Sequence, residues 1–327
     1  MMKKFFALLL ALVMVLSMTA CAEKEPETVR LRLATGTPDS TYYLFGGYIG
    51  KHATENADYL EVLALEGVGS VDSCQQLQQA AVELALCQSD VMARAYEGSG
   101  EFAAEGAKVE NFSVVGALYQ ETLQMVTLDP AIKTLADLKG RRVAVGADDA
   151  VKQENVAEIL AACGVAAQDV TLECKSVEES VEALKAGEVD AVFVLTELPC
   201  PALVELAKNR TTYMLGLDEA VADQLAQGES HYTRAAIPAG TFHTQDQELA
   251  TVAVTVVLLV RNDVPEESVL ALTADLFDRG AELAESYPLC GQLGAELGAS
   301  VTAVPYHASA AAYFTEKGFT VPVAQED

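Results

Sequence analysis

Short apolar runs alternate with amphipathic stretches over the first hundred residues of the chain. Apolar and polar residues alternate in VRLRLAT (29–35), and two further strand-like runs are YLEVLALEG (59–67) and VELALCQ (82–88). Helical spacing occupies the intervals 42–57 and 70–80. Because strands and helices follow one another in turn, this pattern predicts an α/β unit built on a parallel sheet.

A second unit of the same kind begins near residue 126 and is followed by a long C-terminal section. Its predicted strands, together with a later apolar one, are RRVAVGA (141–147), VTLECK (170–175), VDAVFVL (189–195) and VAVTVVLLV (252–260). The predicted helices span 150–163, 177–186, 265–286 and 306–317. The whole pattern indicates two α/β units in tandem, in a chain long enough for two separate cores.

The N-terminus has the composition of an export signal. Two lysines precede an apolar run at 5–20, and Cys21 follows directly. The motif MTAC (18–21) resembles the bacterial lipobox, in which the cysteine becomes a lipidated N-terminus. We therefore expect a signal peptide at 1–20, a lipid-anchored Cys21 with a linker over 21–28, and a protein outside the cytoplasm, on the outer face of the cell membrane or in the periplasm. The alternative is an ordinary signal peptide with a cysteine nearby.

The charge of the chain argues against nucleic acid as a partner. Against 48 Asp and Glu there are 21 Lys and Arg, a formal net charge of -27. Such a surface repels phosphate backbones and anionic headgroups. The cysteines beyond Cys21 have neither CxxC spacing nor a histidine at metal-ligand distance in the sequence, so no metal and no cofactor is expected, and disulfide pairing stays open.

A resemblance to a known family extends from Leu31 to Gly318. It is carried by several segments in one order, among them ALCQSDVMARAYEGSGEF (85–102), LKAGEVDAVFVLTELPCPALVELA (184–207), IPAGTF (237–242) and PYHASAAAYFTEKG (305–318). Together they resemble the TAXI family, the substrate-binding subunits of a class of TRAP transporters. The resemblance implies a two-lobed α/β fold, like that of periplasmic binding proteins, that closes on a small organic anion or amino acid. It also implies delivery of that solute to an ion-driven membrane permease.

The predicted lobes follow from two places at which the chain crosses between the α/β units. With crossings near 119–127 and 251–260, lobe 1 comprises 29–123 plus 256–327, and lobe 2 comprises 124–255. We expect a monomer with a ligand cleft between the lobes. Two alternatives to the TRAP assignment are the binding protein of an ABC importer and a ligand-sensing subunit for a membrane receptor.

An extracytoplasmic enzyme is a further alternative, but the sequence favours a non-enzyme. The four histidines are scattered, and none lies in a GxSxG, HExxH or CxxC context. The glycine-rich stretches contain neither GxGxxG nor a Walker lysine.

In open α/β sheets, ligands bind beyond the carboxyl ends of strands, where helix N-termini favour carboxylate groups. Such places follow each of the three strands predicted in the first unit. The residues expected to contact ligand there are Gly36, Thr41, Tyr42, Ser70, Gln88 and Ser89. The alternatives are a plain helix cap at Ser70 and core packing for Tyr42. Near the first crossing, Tyr119 either stacks on the ligand or packs against the hinge.

The second unit departs from the TAXI pattern in the loop after RRVAVG. Where the family usually has small hydroxyl residues, this chain has Asp148 and Asp149, with Lys152 shortly after. Two acids at a helix N-terminus satisfy the dipole and repel an anion, so we hypothesise that one of them meets a ligand amine. Lys152 is expected to pair with a ligand carboxylate, and Glu197, in the TELPCP corner (196–201), to be a second acidic contact. Solvent exposure is the alternative for both.

Overall fold

The structure is a computed structural model that describes residues 28–324 apart from 39, 105, 147–149 and 228–230, and only the backbone of 150–152. The expected signal peptide and Cys21 therefore lie outside the described residues. The same is true of Asp148, of Asp149 and of the side chain of Lys152.

Strands and helices alternate through most of the described chain. The strands are β1 (Val29–Ala34), β2 (Leu60–Leu65), β3 (Leu84–Gln88), β4 (Phe112–Thr127), β5 (Arg142–Gly146), β6 (Thr171–Lys175), β7 (Ala191–Thr196), β8 (Tyr213–Leu215), β9 (Tyr232–Ile237) and β10 (Leu249–Arg261). The helices are α1 (Thr41–Asn56), α2 (Ser70–Gln78), α3 (Ser89–Glu97), α4 (Ala150–Ala162), α5 (Val177–Ala186), α6 (Pro201–Asn209), α7 (Glu219–Leu225), α8 (Glu266–Asp278), α9 (Gly280–Ser286), α10 (Ala295–Gly298) and α11 (Ala308–Glu316). Among the described helices, none has the length and apolar character needed to cross a membrane.

The strands of the described chain form one hydrogen-bonded sheet in the order β2-β1-β3-β10-β4-β7-β5-β6, with β8 on β4 and β9 on β10. Parallel pairing joins β1 to β2 and β3 at one end, and β5 to β6 and β7 at the other. Between these parallel parts, β4 and β10 pair with each other in antiparallel fashion. Their register shifts twice, between Val256 and Val257 and between Leu258 and Leu259. Such irregularities bend a sheet and increase its local twist.

Apolar side chains are buried in separate clusters at the two ends of this central pair. One cluster takes its buried residues from 31–119 and 256–321, and two others take theirs from 123–254. We call residues 28–119 with 256–324 the first half, and residues 123–254 the second half. The buried side chains of β4 therefore pack into the first half at the start of the strand and into the second half at its end. Those of β10 do so in the reverse order. The lobe boundaries themselves stay a prediction.

Two expectations about secondary structure need correction. The helix expected over 265–286 is two helices, α8 and α9, that meet at Gly280. A Cβ at Gly280 would lie 2.3 Å from the carbonyl oxygen of Leu293, so close packing with the following segment requires a glycine at this turn. The second difference is the 16-residue strand β4, which the pattern did not predict upstream of residue 126.

Candidate ligand-binding cleft

A cavity of about 350 Å³ lies between the two halves, at the carboxyl ends of the parallel strands. Gly36 follows β1, Gly146 ends β5 and Thr196 ends β7, and all three line the cavity. Residues at the N-termini of α1, α2, α5 and α6 complete its walls. The sheet thus brings strand ends and helix starts from both halves to one place, where α/β folds bind their ligands.

The helix N-termini at the cavity differ in how their first N–H groups are satisfied. Ser40 caps α1 and Ser176 caps α5, and each serine Oγ accepts a backbone hydrogen bond at 3.2 Å. No described side chain caps α2, which begins after Gly69, or α6, which begins after Cys200. Because a helix N-terminus carries about half a positive charge, these ends add positive potential to the cavity.

Among the described residues, the carboxylates of Glu121, Glu178 and Glu197 line the same cavity. Glu121, on β4, is 1% exposed and accepts a hydrogen bond from Gln88 Nε2 at 2.5 Å. Glu197 accepts one from Thr41 Oγ1 at 2.6 Å, and this bond joins the two halves across the cleft. Within the described residues, no lysine, arginine or histidine lines the cavity. The charged side chains that the described part of the chain contributes to this cavity are acidic.

The position of Glu197 is set by the β4 strand and by its own neighbours. Thr196 Oγ1 donates a second hydrogen bond to the Glu197 carboxylate. Gln124 Nε2 donates to the carbonyl oxygen of Glu197 at 3.0 Å, and Gln124 Oε1 accepts from the Cys200 N–H at 2.8 Å. Gln124, which is fully buried, therefore fixes the backbone of this corner from both ends.

Two buried phenols, Tyr42 and Tyr119, lie near the carboxylates. The Tyr42 hydroxyl is 3.4 Å from Ser70 Oγ, and Tyr119 packs on Phe45 with ring centroids 4.8 Å apart. Burial raises the pKa of Tyr42 well above its usual value, and the negative charge of Glu121 adds to the effect. Burial likewise raises the pKa of Tyr119, with further contributions from the nearby carboxylates. Both side chains are therefore neutral phenols at physiological pH.

The structure brings five of the expected ligand residues to the cavity wall: Gly36, Thr41, Tyr42, Ser70 and Glu197. Whether these residues contact ligand stays a prediction.

Three more of the expected residues lie off the wall. Gln88 is one layer deeper, where its backbone N–H donates to Ser70 Oγ at 3.0 Å and its side chain holds Glu121. Ser89 is half-buried at the start of α3, and Tyr119 is fully buried behind Phe45.

Sequence reasoning missed Glu121 and Glu178. Glu121 lies in the polar stretch Gln120–Thr122 of a strand that is otherwise mostly apolar, and a polar run inside a long apolar strand was the available signal. Glu178 is in the first turn of α5, where an acid is explained equally well by the helix dipole.

A second cavity, of about 680 Å³, lies between α3 of the first half and α4 and α7 of the second. Its lining includes Asp90, Arg94 and Glu158, which stand on the flanks of helices. Because it is not at the strand ends, it is a weaker candidate for the ligand site.

The profile of the NMT1-like family matches residues 33–318, most of the chain. The chain belongs to the NMT1-like family. This match does not test the resemblance to the TAXI family, which stays a prediction.

The likeness to PhnD1 confirms the predicted two-lobed α/β fold, and two weaker likenesses follow it. PhnD1 from Prochlorococcus marinus, in complex with methylphosphonate, has a TM-score of 0.55 at 11% identity, over 81% of this chain and 91% of that one. The alkanesulfonate-binding protein SsuA from Xanthomonas axonopodis pv. citri, bound to MOPS, has a TM-score of 0.48 at 17% identity, over 89% and 91%. A TRAP solute-binding protein specific for aromatic acid ligands, from a marine metagenome, has a TM-score of 0.45 at 12% identity, over 92% and 86%.

Proposed function

We propose that this NMT1-like chain is an extracytoplasmic solute-binding protein that captures a small organic molecule in the cleft between its halves. The observation that carries the proposal is the cavity itself. It has the size of a small-molecule site, and residues of both halves form its walls. A ligand that contacts both walls favours the closed arrangement over an open one, because its binding free energy is then larger in the closed state.

The hinge for this motion is assigned to β4 and β10, the two strands in which burial passes from one half to the other. We propose that the two halves are the lobes predicted at 29–123 plus 256–327 and at 124–255. Only a few residues in each strand need to change their backbone angles for the cleft to open, as in other hinge motions.

Binding to the chain is tested by native mass spectrometry of the exported protein, extracted in detergent from its host. The probe is the small-molecule fraction of yeast extract. We expect an adduct of one small molecule per chain, displaced on unfolding. A protein that stays free of adducts at every extract concentration would contradict the proposed function.

The TAXI-like segments support delivery of the solute to a TRAP-type permease. The binding protein of an ABC importer has the same fold, and the neighbouring genes distinguish the two. A large membrane permease gene next to this one supports the TRAP assignment, and an ATPase gene supports the ABC assignment. A receptor gene without a permease supports a sensor subunit.

Anchoring at Cys21 is proposed from the lipobox-like motif at 18–21. Cells fed a radiolabelled or alkyne-bearing palmitate are expected to label the wild-type chain, and the Cys21→Ala variant is expected to remain unlabelled. Cys163→Ala, which leaves the N-terminus intact, is the matched control. Labelling that persists in Cys21→Ala would rule out this anchor.

A further inference from the structure

We propose that Cys74 and Cys87 form a disulfide bond when the protein folds outside the cytoplasm, and that this bond ties α2 to β3 behind the first-half wall of the cleft. The inference rests on the proposed extracytoplasmic location and goes beyond the solute-binding function. Its failure would leave the test of solute binding unaffected, because neither cysteine is among the described residues that line the cavity.

The fold already places the two sulfur atoms in contact. Cys74 lies on α2 and Cys87 on β3, and their Sγ atoms are 3.5 Å apart. The two residues are separate thiols in this structure, and both are fully buried. A disulfide requires the sulfurs to lie about 2 Å apart, so each has to move by less than about 1 Å. Small rotations about the two Cα–Cβ bonds produce displacements of this size.

Other contacts hold the start of α2 against the end of β3. Ser70 Oγ accepts a hydrogen bond from the Gln88 N–H at 3.0 Å, and the Cys87 Sγ lies 3.9 Å from the Ser70 carbonyl oxygen. The two thiols therefore face each other in an arrangement that neighbouring groups fix. A covalent bond between them would fasten the helix whose first residue, Ser70, lines the cavity.

The compartment decides between a disulfide and two packed thiols. Buried cysteines pack well as small apolar residues, and that is the alternative for this pair. In secreted and periplasmic proteins, however, the surroundings are oxidising, and disulfides form and persist there. The bond would also close a loop between residues 74 and 87, which removes conformations from the unfolded chain and so favours the folded one. Contact between the sulfurs and export of the chain therefore act together in favour of the bond.

The bond forms by exchange with an external disulfide, carried by an oxidant protein or by oxidised glutathione. One cysteine thiolate attacks the S–S bond of the oxidant and expels one of its thiolates. The second cysteine thiolate then attacks the first cysteine's sulfur in the mixed disulfide and expels the other. The protein loses two electrons and two protons in all, and the oxidant takes them up as two thiols.

This exchange belongs to the folding of the chain rather than to the folded state. Burial raises the pKa of the Cys87 thiol well above its usual value, and the neighbouring Cys74 adds to the effect. Exchange requires a thiolate that the oxidant can reach, and the folded protein offers neither at this pair. The bond is therefore made before α2 packs onto β3.

The deciding experiment is a peptide map of the exported protein. The protein is alkylated with iodoacetamide in urea without reductant and digested with a protease that cleaves after glutamate. This digestion places Cys74 on peptide 67–83 and Cys87 on peptide 84–97. We expect the two peptides to appear in mass spectra as one linked species that reductant separates. Two alkylated, unlinked peptides would overturn the proposal, and so would a link from either peptide to a different cysteine.

Thermal unfolding of protein refolded from urea measures what the bond contributes. Wild-type protein refolded with reductant is expected to have a Tm about 5 °C below that of protein refolded with oxidised glutathione. This difference is expected to vanish in Cys74→Ala and in Cys87→Ala. Cys290→Ala removes another fully buried thiol and should retain the wild-type difference.

Each difference is measured within one variant, so a loss of packing caused by the substitution itself does not enter it. A difference that persists in both Cys74→Ala and Cys87→Ala would overturn the assignment to this pair. The peptide map uses the wild-type chain alone and decides the proposal even where a variant does not fold.

Discussion

The two walls of the cleft have the same local arrangement of backbone but differ in the charge of their side chains. In each half, a buried parallel strand ends at the cavity and a helix begins there. On the first-half wall, Thr41, Tyr42 and Ser70 present hydroxyl groups, whereas Glu178 and Glu197 on the second-half wall present carboxylates. Strand ends and helix starts therefore determine where a ligand can bind, and the side chains placed on them determine what kind of ligand is bound.

The largest expected effect is a loss of stability when the core of the second half is disrupted. Phe193 on β7 is fully buried in the second half, and Phe193→Ala is expected to lower the free energy of unfolding by about 3–5 kcal/mol. Urea titration followed by circular dichroism measures the loss. Leu270→Ala, at a position 45% exposed on α8, is the control and is expected to cost less than about 1 kcal/mol. A loss below about 1 kcal/mol for Phe193→Ala would contradict the packing described for the second half.

The next effect concerns the hydrogen bond that joins the walls. Thr41→Val keeps the shape of the side chain and removes the donor to Glu197, a bond to a charged group that contributes about 1.5–3 kcal/mol when shielded from water. The ligand-free protein is expected to shift toward an open cleft, with a larger radius of gyration in small-angle X-ray scattering.

Thr315→Val is the control for this shift. It removes a hydroxyl whose hydrogen bond stays within α11, so the scattering curve should remain that of the wild type. If Thr41→Val and the wild type scatter identically, the Thr41–Glu197 bond does not hold the cleft closed.

A smaller effect compares the two capped helix ends. Ser176→Ala on the second-half wall and Ser40→Ala on the first-half wall each remove an N-cap hydrogen bond. Each change is expected to lower the free energy of unfolding by about 1 kcal/mol. Thermal unfolding gives both values. Ser176→Thr, which retains the hydroxyl, should recover most of the loss. A Ser176→Ala variant as stable as the wild type would mean that the cap does not stabilise α5.

The smallest effect is a dependence on pH in the first half. Glu83 accepts hydrogen bonds from Arg32 and lies 3.3 Å from Arg261. Although burial alone would raise the pKa of Glu83, the hydrogen bonds and charge of Arg32, with the charge of Arg261, hold it below the usual range. A lowered folded pKa means that this stabilisation is present above the unfolded pKa, near 4.3. It is lost as the pH falls through the folded pKa.

Glu83→Gln is therefore expected to be less stable than the wild type by a few tenths of a kcal/mol, roughly 0.5 kcal/mol, at pH 7. The two should be equal in stability at a pH below the folded pKa of Glu83. Urea titrations at pH 7, 4 and 3 measure the difference, with Glu188→Gln as the control that has no such partner pair described. A difference that stays constant over this range would exclude the ion pairs as its cause.

Much of the fold could be predicted because most of its strands are short apolar runs, which can be recognised from neighbouring residues alone. β1, β2, β3, β5 and β6 lie within the runs where the pattern placed them, and β7 extends one residue beyond its run, to Thr196. β4 could not be predicted, because Gln120, Glu121 and Gln124 give its second part a polar appearance. These residues are tolerated in the centre of the sheet through hydrogen bonds to distant groups. Gln124 bonds to the corner at Cys200, and Gln120 N–H bonds to Gln292 Oε1 at 2.9 Å.

The candidate site was predictable to the extent that a strand end followed by a helix start marks it. Gly36, Thr41, Ser70 and Glu197 were expected from that local rule, and each lies on the cavity wall. Glu121 was not, because its local signal, a short polar run inside a long apolar strand, does not tell whether the side chain faces a cleft.

By itself, the sequence determined the alternation of strands and helices and the excess of acidic residues. Those properties depend on neighbouring residues or on sums over the chain. Only the tertiary structure decided that Thr41 and Glu197, 156 residues apart, share a hydrogen bond, and that Glu121 lies in the same cavity. The physical reason is that one sheet, which β4 and β10 continue from one half to the other, brings together strand ends that are far apart in the sequence. Patterns of neighbouring residues do not show which distant strand ends will meet.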